Sequence, residues 1–126
     1  MSVTFHSVVP VLRIFDVAKA DEFYVGFLGF DIDWDHRFDE TLPLYRQISK
    51  EGLILHLSEH HGDGSPGSHV RVLARNLQSY QAALVAKTYR YLRPGLEEVD
   101  GRMEMCIIDP FGNRITFYEP KVEEKD

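Results

Sequence analysis

The sequence predicts an α+β fold of two tandem βαβββ modules, whose curved mixed sheets leave a concave face for a ligand. An internal repeat is the first observation, since VPVLRIFD at 9–16 matches HVRVLARN at 69–76, 60 positions further on. The second is that LILHLSE at 53–59 matches NRITFYE at 113–119 at the same offset. Third, a helical pattern follows the first segment of each pair.

The first module begins with the strand-like run 9–16, which ends at Asp16, a candidate helix N-cap. The sequence VAKADEFYVGFLG at 17–29 then places its apolar residues along one helical stripe. Turn-forming sequences separate the segments that follow. The remaining strands of this module are predicted at 29–38, 43–50 and 53–59.

The strand predicted at 29–38 alternates between aromatic or apolar residues and acids. One face is expected to carry Ile32, Trp34, His36 and Phe38. The opposite face is expected to present Asp31, Asp33 and Asp35 to water. Trp34 therefore either packs into a core or lines a concavity.

The second module repeats this order after the linker HGDGSPGS at 61–68. Asn76 is its candidate N-cap, and a helix is predicted over 77–87. In the DPFGN turn, Asp109 is expected to cap its own backbone. Cys106 lies in an apolar alternation and is expected to be buried as a small hydrophobe. The strands of this module are predicted at 69–76, 89–98, 101–109 and 113–119.

Length and composition restrict the possible functions. The 126 residues have the length of a single domain, with modules at about 5–60 and 68–120. A net charge of −6 without a dense basic run argues against a nucleic-acid partner. The N-terminus has neither a basic leader region nor an apolar span, which argues against a signal peptide and a membrane partner. With one cysteine the chain suits a reducing compartment, and we expect it in the cytoplasm.

Two stretches resemble a known family. They are DVAKADEFYVGFLGF at 16–30 and IDPFGNRITFYEP at 108–120. Together with the duplicated βαβββ unit, they are similar to the glyoxalase/bleomycin-resistance/dioxygenase family, also called vicinal oxygen chelate. The family hosts lyases, isomerases, dioxygenases, thiol transferases and non-catalytic drug binders, so the resemblance implies a fold more strongly than a function.

The resemblance also indicates where a metal would bind. Metal-dependent members take ligands from the first and last strands of each unit, which correspond here to Val9, His56, His69 and Thr116. Divalent ions bind best with three or more His or carboxylate ligands. Two histidines without an acid make a poor site, so we expect no metal and no cofactor. If a metal does bind, His56 and His69 would hold it.

Strand alternation places further polar and aromatic residues on the face that carries His56. Flat aromatic surfaces with a few orienting polar groups suit a planar heteroaromatic ligand. The alternative is that the aromatic residues belong to the core or to a dimer interface. The predicted ligand-binding residues are Trp34, His36, Phe38, His56, Ser58, His69, Arg71, Arg114, Thr116 and Tyr118.

These observations favour non-catalytic binding of a small aromatic or cationic compound. The resemblance to bleomycin resistance proteins implies antibiotic sequestration by a homodimer, in which Trp34 matches one stacking position and Phe38 lies within a residue of the other. Those proteins carry Trp-Gly before the final strand pair, whereas this chain has Asp100, which argues against bleomycin itself. One alternative is a metal-dependent lyase or dioxygenase using His56 and His69. Another is a sensor or interaction module whose groove is filled by another protein.

Overall fold

The structure is a computed structural model that describes residues 2–121. Helix α1 begins as an α-helix over Val17–Ala20 and continues as a π-helix over Asp21–Phe27. Helix α2 spans Leu77–Ala86. The strands of the first module are β1 (Val11–Arg13), β2 (Asp31–His36), β3 (Tyr45–Lys50) and β4 (Leu53–Ser58). Those of the second are β5 (His69–Leu73), β6 (Glu97–Val99), β7 (Arg102–Ile108) and β8 (Arg114–Pro120).

Each module forms its own four-stranded mixed sheet. The strand orders are β1-β4-β3-β2 and β5-β8-β7-β6, and the first pair in each order is parallel. Val11 lies opposite His56 in one sheet, and Arg71 lies opposite Thr116 in the other, so the repeat of 60 positions preserves the register. The predicted α+β fold with two tandem βαβββ modules is confirmed.

The start of helix α1 follows from its sequence. The Asp16 carboxylate accepts a hydrogen bond of 2.9 Å from the Lys19 backbone N–H, as predicted for an N-cap. After the helix, Gly29 has a φ of 86°, a left-handed conformation that glycine adopts without steric cost. The apolar stripe of the helix is buried at Ala20, Phe23, Tyr24 and Phe27.

One apolar core serves both modules. Alternate residues of the sheets face the helices, as expected for strands that are half buried. From the first sheet these are Leu12, Ile48, Leu55 and Leu57, and from the second Met105, Ile107, Ile115 and Phe117. The opposite side of each sheet is left without helical cover, and the candidate site lies there.

A buried polar contact joins the modules. The Tyr24 hydroxyl donates a hydrogen bond of 2.6 Å to Asp109, whose other oxygen accepts the N–H groups of Phe111 and Asn113. Asn113 in turn donates to the Arg13 carbonyl at 2.9 Å. Burial and the neighbouring carboxylate raise the pKa of Tyr24 well above its usual value. Asp109 therefore caps its own turn, as predicted, and also anchors the first helix.

The cap of helix α2 differs from the prediction. Asn76 adopts a left-handed conformation with φ 61°, and its side chain makes no capping hydrogen bond. The Glu119 carboxylate accepts the N–H groups of Asn76 and Leu77 instead, at 3.2 and 3.0 Å. A carboxylate from the neighbouring strand thus satisfies the first amides of the helix.

Three predicted strands are too long. Strand β1 covers only Val11–Arg13, and β2 ends at His36, so Phe38 lies in the following turn. Strand β6 keeps only Glu97–Val99 of the predicted segment 89–98. Pro94 within that segment lacks the N–H that a central strand position requires. None of the helices within residues 2–121 is long and apolar enough to cross a membrane.

Candidate functional site

The uncovered side of the first sheet is the principal candidate site, and we call it the first open face. Its members are fixed by cross-strand pairing, because residues directly opposite each other share a face. Gln47 lies opposite His56, and Tyr45 lies opposite Ser58. The first open face carries Asp33, Trp34, His36, Tyr45, Gln47, Ser49, Ile54, His56 and Ser58.

An irregularity in β2 decides which side chains reach this face. The pairing shifts between Ile32, opposite the buried Ile48, and Trp34, opposite Gln47. Such a bulge puts an extra residue on one strand and re-aims its neighbours. Ile32 therefore lies on the core side, whereas Asp33 turns toward Gln47. The predicted placement of Ile32 with Trp34 is wrong.

The aspartates of β2 were predicted to face water, but two of them have side-chain partners. Asp33 accepts hydrogen bonds from the side chains of Gln47 and Ser49, both at 3.0 Å. Asp35 points to the core side, where it pairs with the buried Arg46 at 2.6 Å. Arg46 also contacts Asp21 of helix α1. Hydrogen bonding to this guanidinium lowers the pKa of Asp35, and the two acids raise the pKa of Arg46.

Four side chains form a continuous hydrogen-bonded chain on the first open face, which we call the polar chain. The Tyr45 hydroxyl lies 2.7 Å from Nδ1 of His56. Nε2 of His56 lies 2.9 Å from Oε1 of Gln47, and the Gln47 amide nitrogen donates to Asp33 at 3.0 Å. Both ring nitrogens of His56 are therefore engaged.

The carboxylate sets the direction of every bond in the polar chain. An ionised Asp33 only accepts, so Gln47 must present its NH₂ to it and its carbonyl oxygen to His56. His56 then carries a proton on Nε2, and in the neutral imidazole its Nδ1 accepts from Tyr45. The Tyr45 hydroxyl proton is used in this way, so toward the open face its oxygen offers lone pairs only. The Tyr45 oxygen thus accepts hydrogen bonds at this edge of the site and donates none, whereas the Trp34 indole N–H beside it is a donor.

Aromatic rings surround the polar chain. Trp34 lies nearly parallel to Tyr45, with ring centroids 6.2 Å apart and an interplanar angle of 12°. It also contacts the His56 ring edge-on at 5.4 Å. Trp34 is 43% exposed, so its indole is presented outward and is not part of the core. The face combines an accessible indole with hydrogen-bond acceptors.

The other predicted residues of the first module occupy less central positions. His36 lies at the end of β2, on the open face, and contacts Phe38 edge-on at 5.6 Å. Phe38 is 82% exposed in the turn after β2. Ser58 is on the face but fully buried, and its hydroxyl donates to Asp63 of the linker at 2.8 Å.

The uncovered side of the second sheet, the second open face, is rich in arginine. Arg71 pairs with Glu104 at 2.9 Å and lies over the Tyr118 ring at 4.7 Å. Hydrogen bonds from Arg71 and Arg102 lower the pKa of Glu104. Nε2 of His69 lies 2.8 Å from the Thr116 hydroxyl. The cross-strand register puts Arg114 on this face as well, opposite Ile108.

The structure corrects the prediction for Cys106. It lies opposite Thr116 on the second open face and is exposed. Its neighbours Met105 and Ile107 face the core and are fully buried. The run MEMCIID ends in two adjacent isoleucines that lie on opposite faces, Ile107 in the core and Ile108 on the second open face, so its apolar character did not show the face of Cys106.

The side chains do not fit the metal site that the resemblance implies. Both nitrogens of His56 have partners, and His69 is bonded to a neutral hydroxyl. Val9 has no donor atom on its side chain. Within residues 2–121 no group of three or more His, Cys, Asp or Glu side chains is arranged to hold an ion. A divalent ion would have to break the polar chain to gain its first ligand.

Three members of the polar chain, Asp33, Tyr45 and Gln47, were not among the predicted site residues. Strand β3 reads YRQISK, in which Tyr45, Gln47 and Ser49 alternate with residues that face the core. Extending the alternation argument from β4 to its neighbour would have found them. Asp33 could not have been found in this way, because the bulge changes its face.

Comparison with known proteins agrees with this architecture. Residues 1–124 match the sequence pattern of the glyoxalase superfamily. The chain belongs to the glyoxalase superfamily. No curated protein matches it in sequence.

Solved structures of the superfamily share the fold. One is a bleomycin-binding protein from Streptomyces verticillus complexed with copper(II)-bleomycin, 23% identical, with a TM-score of 0.69 over 97% of this chain and 100% of that one. Another is an antibiotic-binding protein from Streptomyces sp. CB03234, 20% identical, with a TM-score of 0.68 over 94% and 100% of the two chains. A third is a bleomycin-binding protein complexed with bleomycin, 16% identical, with a TM-score of 0.69 over 93% and 100%. At these identities the likeness extends to the fold alone.

Proposed function

We propose that this superfamily member binds a planar, cationic aromatic compound on its first open face and does not transform it. The observation that carries the proposal is the half-exposed indole of Trp34 beside an edge of hydrogen-bond acceptors. A flat ring gains from stacking on indole, and a positive ring gains more because the indole face is electron-rich.

The charge of this face supports a cationic ligand. Asp33 belongs to the polar chain, and Asp31 lies opposite Ser49 on the same side of the sheet. Arg46 of strand β3 is on the core side and is already paired. N–H groups of a ligand would meet the lone pairs of Tyr45 and the carboxylate of Asp33. An anionic ligand would meet the same acceptors and be repelled.

The hydrogen bonding of Tyr45 and His56 is the reason for proposing that the ligand is not transformed. The Tyr45 hydroxyl donates its hydrogen bond to His56. Burial together with Asp63 raises the pKa of Tyr45. A raised pKa makes the phenol a poorer source of phenolate. Because His56 is hydrogen-bonded through both ring nitrogens, it is not free to act as a base beside Trp34. Sequestration of an antibiotic is the corresponding biological role, and the superfamily's antibiotic-binding structures support it.

A homodimer is part of the proposal. Val3, Phe5 and Val8 of the N-terminal arm are 72%, 88% and 86% exposed, and Leu73 on the second open face is 54% exposed. Apolar surface of this kind marks interaction sites. In the dimer we propose, the second open face of a partner chain completes the groove over Trp34. That face would contribute His69, Arg71, Arg114, Thr116 and Tyr118 as its polar wall.

Calorimetric titration tests the ligand class. Proflavine serves as a planar cation with N–H donors, 9-anthracenecarboxylate as a planar anion, and bleomycin as the antibiotic. We expect proflavine to bind and the anion not to bind. After prolonged incubation, mass spectrometry should recover proflavine and bleomycin unchanged. Equal affinity for the anion, or a modified product, would overturn the proposal.

A further inference from the structure

A second cleft lies between the two modules, on the core side of the sheets except where Leu73 of the second open face reaches it. It encloses about 800 Å³ between the β3–β4 turn of the first module and the start of helix α2 in the second. Its apolar lining comes from both modules and includes Phe30, Leu53, Val72, Leu77, Tyr80 and Phe117. This volume is within the range of small-molecule sites in proteins.

Two of the three charged groups in the lining of the cleft are cationic. Lys50 and Arg75 line it, and within residues 2–121 neither forms an ion pair with a carboxylate. The Lys50 ammonium lies 5.5 Å from the centre of the Tyr80 ring, so its stem is held along the aromatic wall. Glu51 is the one acid of the lining. The chain has a net charge of −6, whereas the two unpaired cations make the charge of the cleft locally positive.

Neighbouring charged and polar groups are already satisfied and do not neutralise the cleft. The Lys87 ammonium donates to the carbonyls of Gly26 and Phe27 at the end of helix α1. Glu119 accepts the first amides of helix α2. The Tyr80 hydroxyl donates to the Leu28 carbonyl at 2.7 Å, and burial raises the pKa of Tyr80 well above its usual value. Lys50 and Arg75 therefore remain as the charges that could meet a ligand.

We infer that this cleft binds an amphipathic organic anion, with its carboxylate at Lys50 and Arg75 and its hydrocarbon portion against the apolar lining. An apolar cavity with cations at one side fits a molecule that has a charged end and a hydrophobic body. A carboxylate gains charge-assisted hydrogen bonds from ammonium and guanidinium groups. This site is independent of the first open face, whose ligand is proposed to be a cation.

Decanoate is the probe, with decanol and decyltrimethylammonium as chain-matched neutral and cationic controls, each below its micelle concentration. Calorimetry should show decanoate binding, weakened about tenfold by Lys50→Met or Arg75→Gln, since each removes one charged hydrogen-bond donor. Hexanoate should bind at least about tenfold more weakly than decanoate, because four methylenes are missing. The matched control Lys121→Met removes an exposed cation outside the cleft and should leave binding unchanged.

Two further results separate this site from the first open face. Trp34→Ala should leave decanoate affinity unchanged, and saturating decanoate should not displace proflavine. The inference is overturned if decyltrimethylammonium binds as tightly as decanoate, if decanoate does not bind, or if both cleft variants bind like the parent. It is also overturned if Trp34→Ala abolishes decanoate binding, which would place the anion on the open face.

Discussion

The Tyr45 hydroxyl and the Nδ1 atom of His56, 2.7 Å apart across strands β3 and β4, set the chemistry of the first open face. Since the Gln47 carbonyl oxygen accepts from the other ring nitrogen, we predict that the neutral imidazole of His56 carries its proton on Nε2. Long-range ¹H–¹⁵N NMR of the imidazole should show this tautomer at neutral pH. Observation of the Nδ1–H tautomer would contradict this prediction. The imidazole would then donate to the Tyr45 oxygen, and the Tyr45 hydroxyl would be free to donate a hydrogen bond to a ligand.

Removing the tyrosine oxygen should affect ligand binding more than stability. Tyr45→Phe keeps the ring beside Trp34 but removes one hydrogen-bond acceptor. We expect proflavine affinity to fall by about 1 kcal/mol, the usual value of one hydrogen bond. Calorimetry of the variant measures this. An unchanged affinity would remove Tyr45 from the ligand site while leaving the role of Trp34 open to its own test.

Trp34→Ala should leave the fold largely intact and weaken binding of the planar cation. Because the side chain is 43% exposed, we expect unfolding free energy to fall by about 1 kcal/mol or less, well below the roughly 3–5 kcal/mol typical of a buried tryptophan. The loss of binding should be about 1–3 kcal/mol, by analogy with base stacking on aromatic side chains. Denaturation and calorimetry measure the two effects. The control is Tyr91→Ala, which removes an exposed aromatic residue elsewhere and should bind like the parent.

The ion pair between Asp35 and Arg46 predicts a pH-dependent stability. The folded-state pKa of Asp35 is lowered, so its contribution is present above the unfolded-state pKa of about 4 and is lost as pH falls through the folded value. Asp35→Asn should cost about 1 kcal/mol at pH 7, a modest figure because this carboxylate is 43% exposed and Asp21 remains beside Arg46. Urea denaturation at pH 7 and pH 3 should show a smaller difference from the parent at the lower pH. An equal difference at both pH values would contradict the assignment.

We predict that the protein purifies with far less than one divalent ion per chain. The donor sets at His56 and His69 are the reason, since a hydroxyl or an amide occupies the positions where further ligands would be needed. Elemental analysis checks the metal content, and EDTA should leave the melting temperature unchanged. Stoichiometric zinc, nickel or manganese bound to either histidine would favour a metal-dependent lyase or dioxygenase.

A dimer is expected in dilute solution, because the exposed arm and open faces leave apolar surface that a second copy would cover. Light scattering at micromolar concentration measures the mass. Phe5→Ser combined with Val8→Ser should shift the protein toward monomer, whereas the matched change Tyr91→Ser should not. A monomeric parent protein would contradict the dimer and the completed groove.

Features that repeat in the sequence could be predicted from it. The offset of 60 positions located both modules, and the same spacing recurs in the pairing of Val11 with His56 and of Arg71 with Thr116. The Asp16 cap and the Asp109 turn were also predicted, because each depends on a local hydrogen bond that the residue type favours.

Features that depend on contacts between residues far apart in the sequence could not be predicted from it. At the bulge, Asp33 accepts hydrogen bonds from Gln47 and Ser49 of the next strand. The sequence of β2 alone contains no pattern that predicts this bulge. Helix α2 is capped by Glu119, which is 42 or 43 positions away along the chain. Such contacts are tertiary, and they override the local preference of Asn76 for an N-cap.

The central claim is that a planar cation stacks on Trp34, the single tryptophan of the chain. Its indole N–H gives one cross-peak in a ¹H–¹⁵N correlation spectrum. The chemical shift of that peak therefore monitors the site in the unsubstituted protein. We predict that proflavine shifts this peak in a saturable manner and that 9-anthracenecarboxylate at equal concentration does not. If calorimetry shows proflavine bound while the indole peak stays in place, or if the anion shifts it equally, the ligand does not stack on Trp34 as proposed.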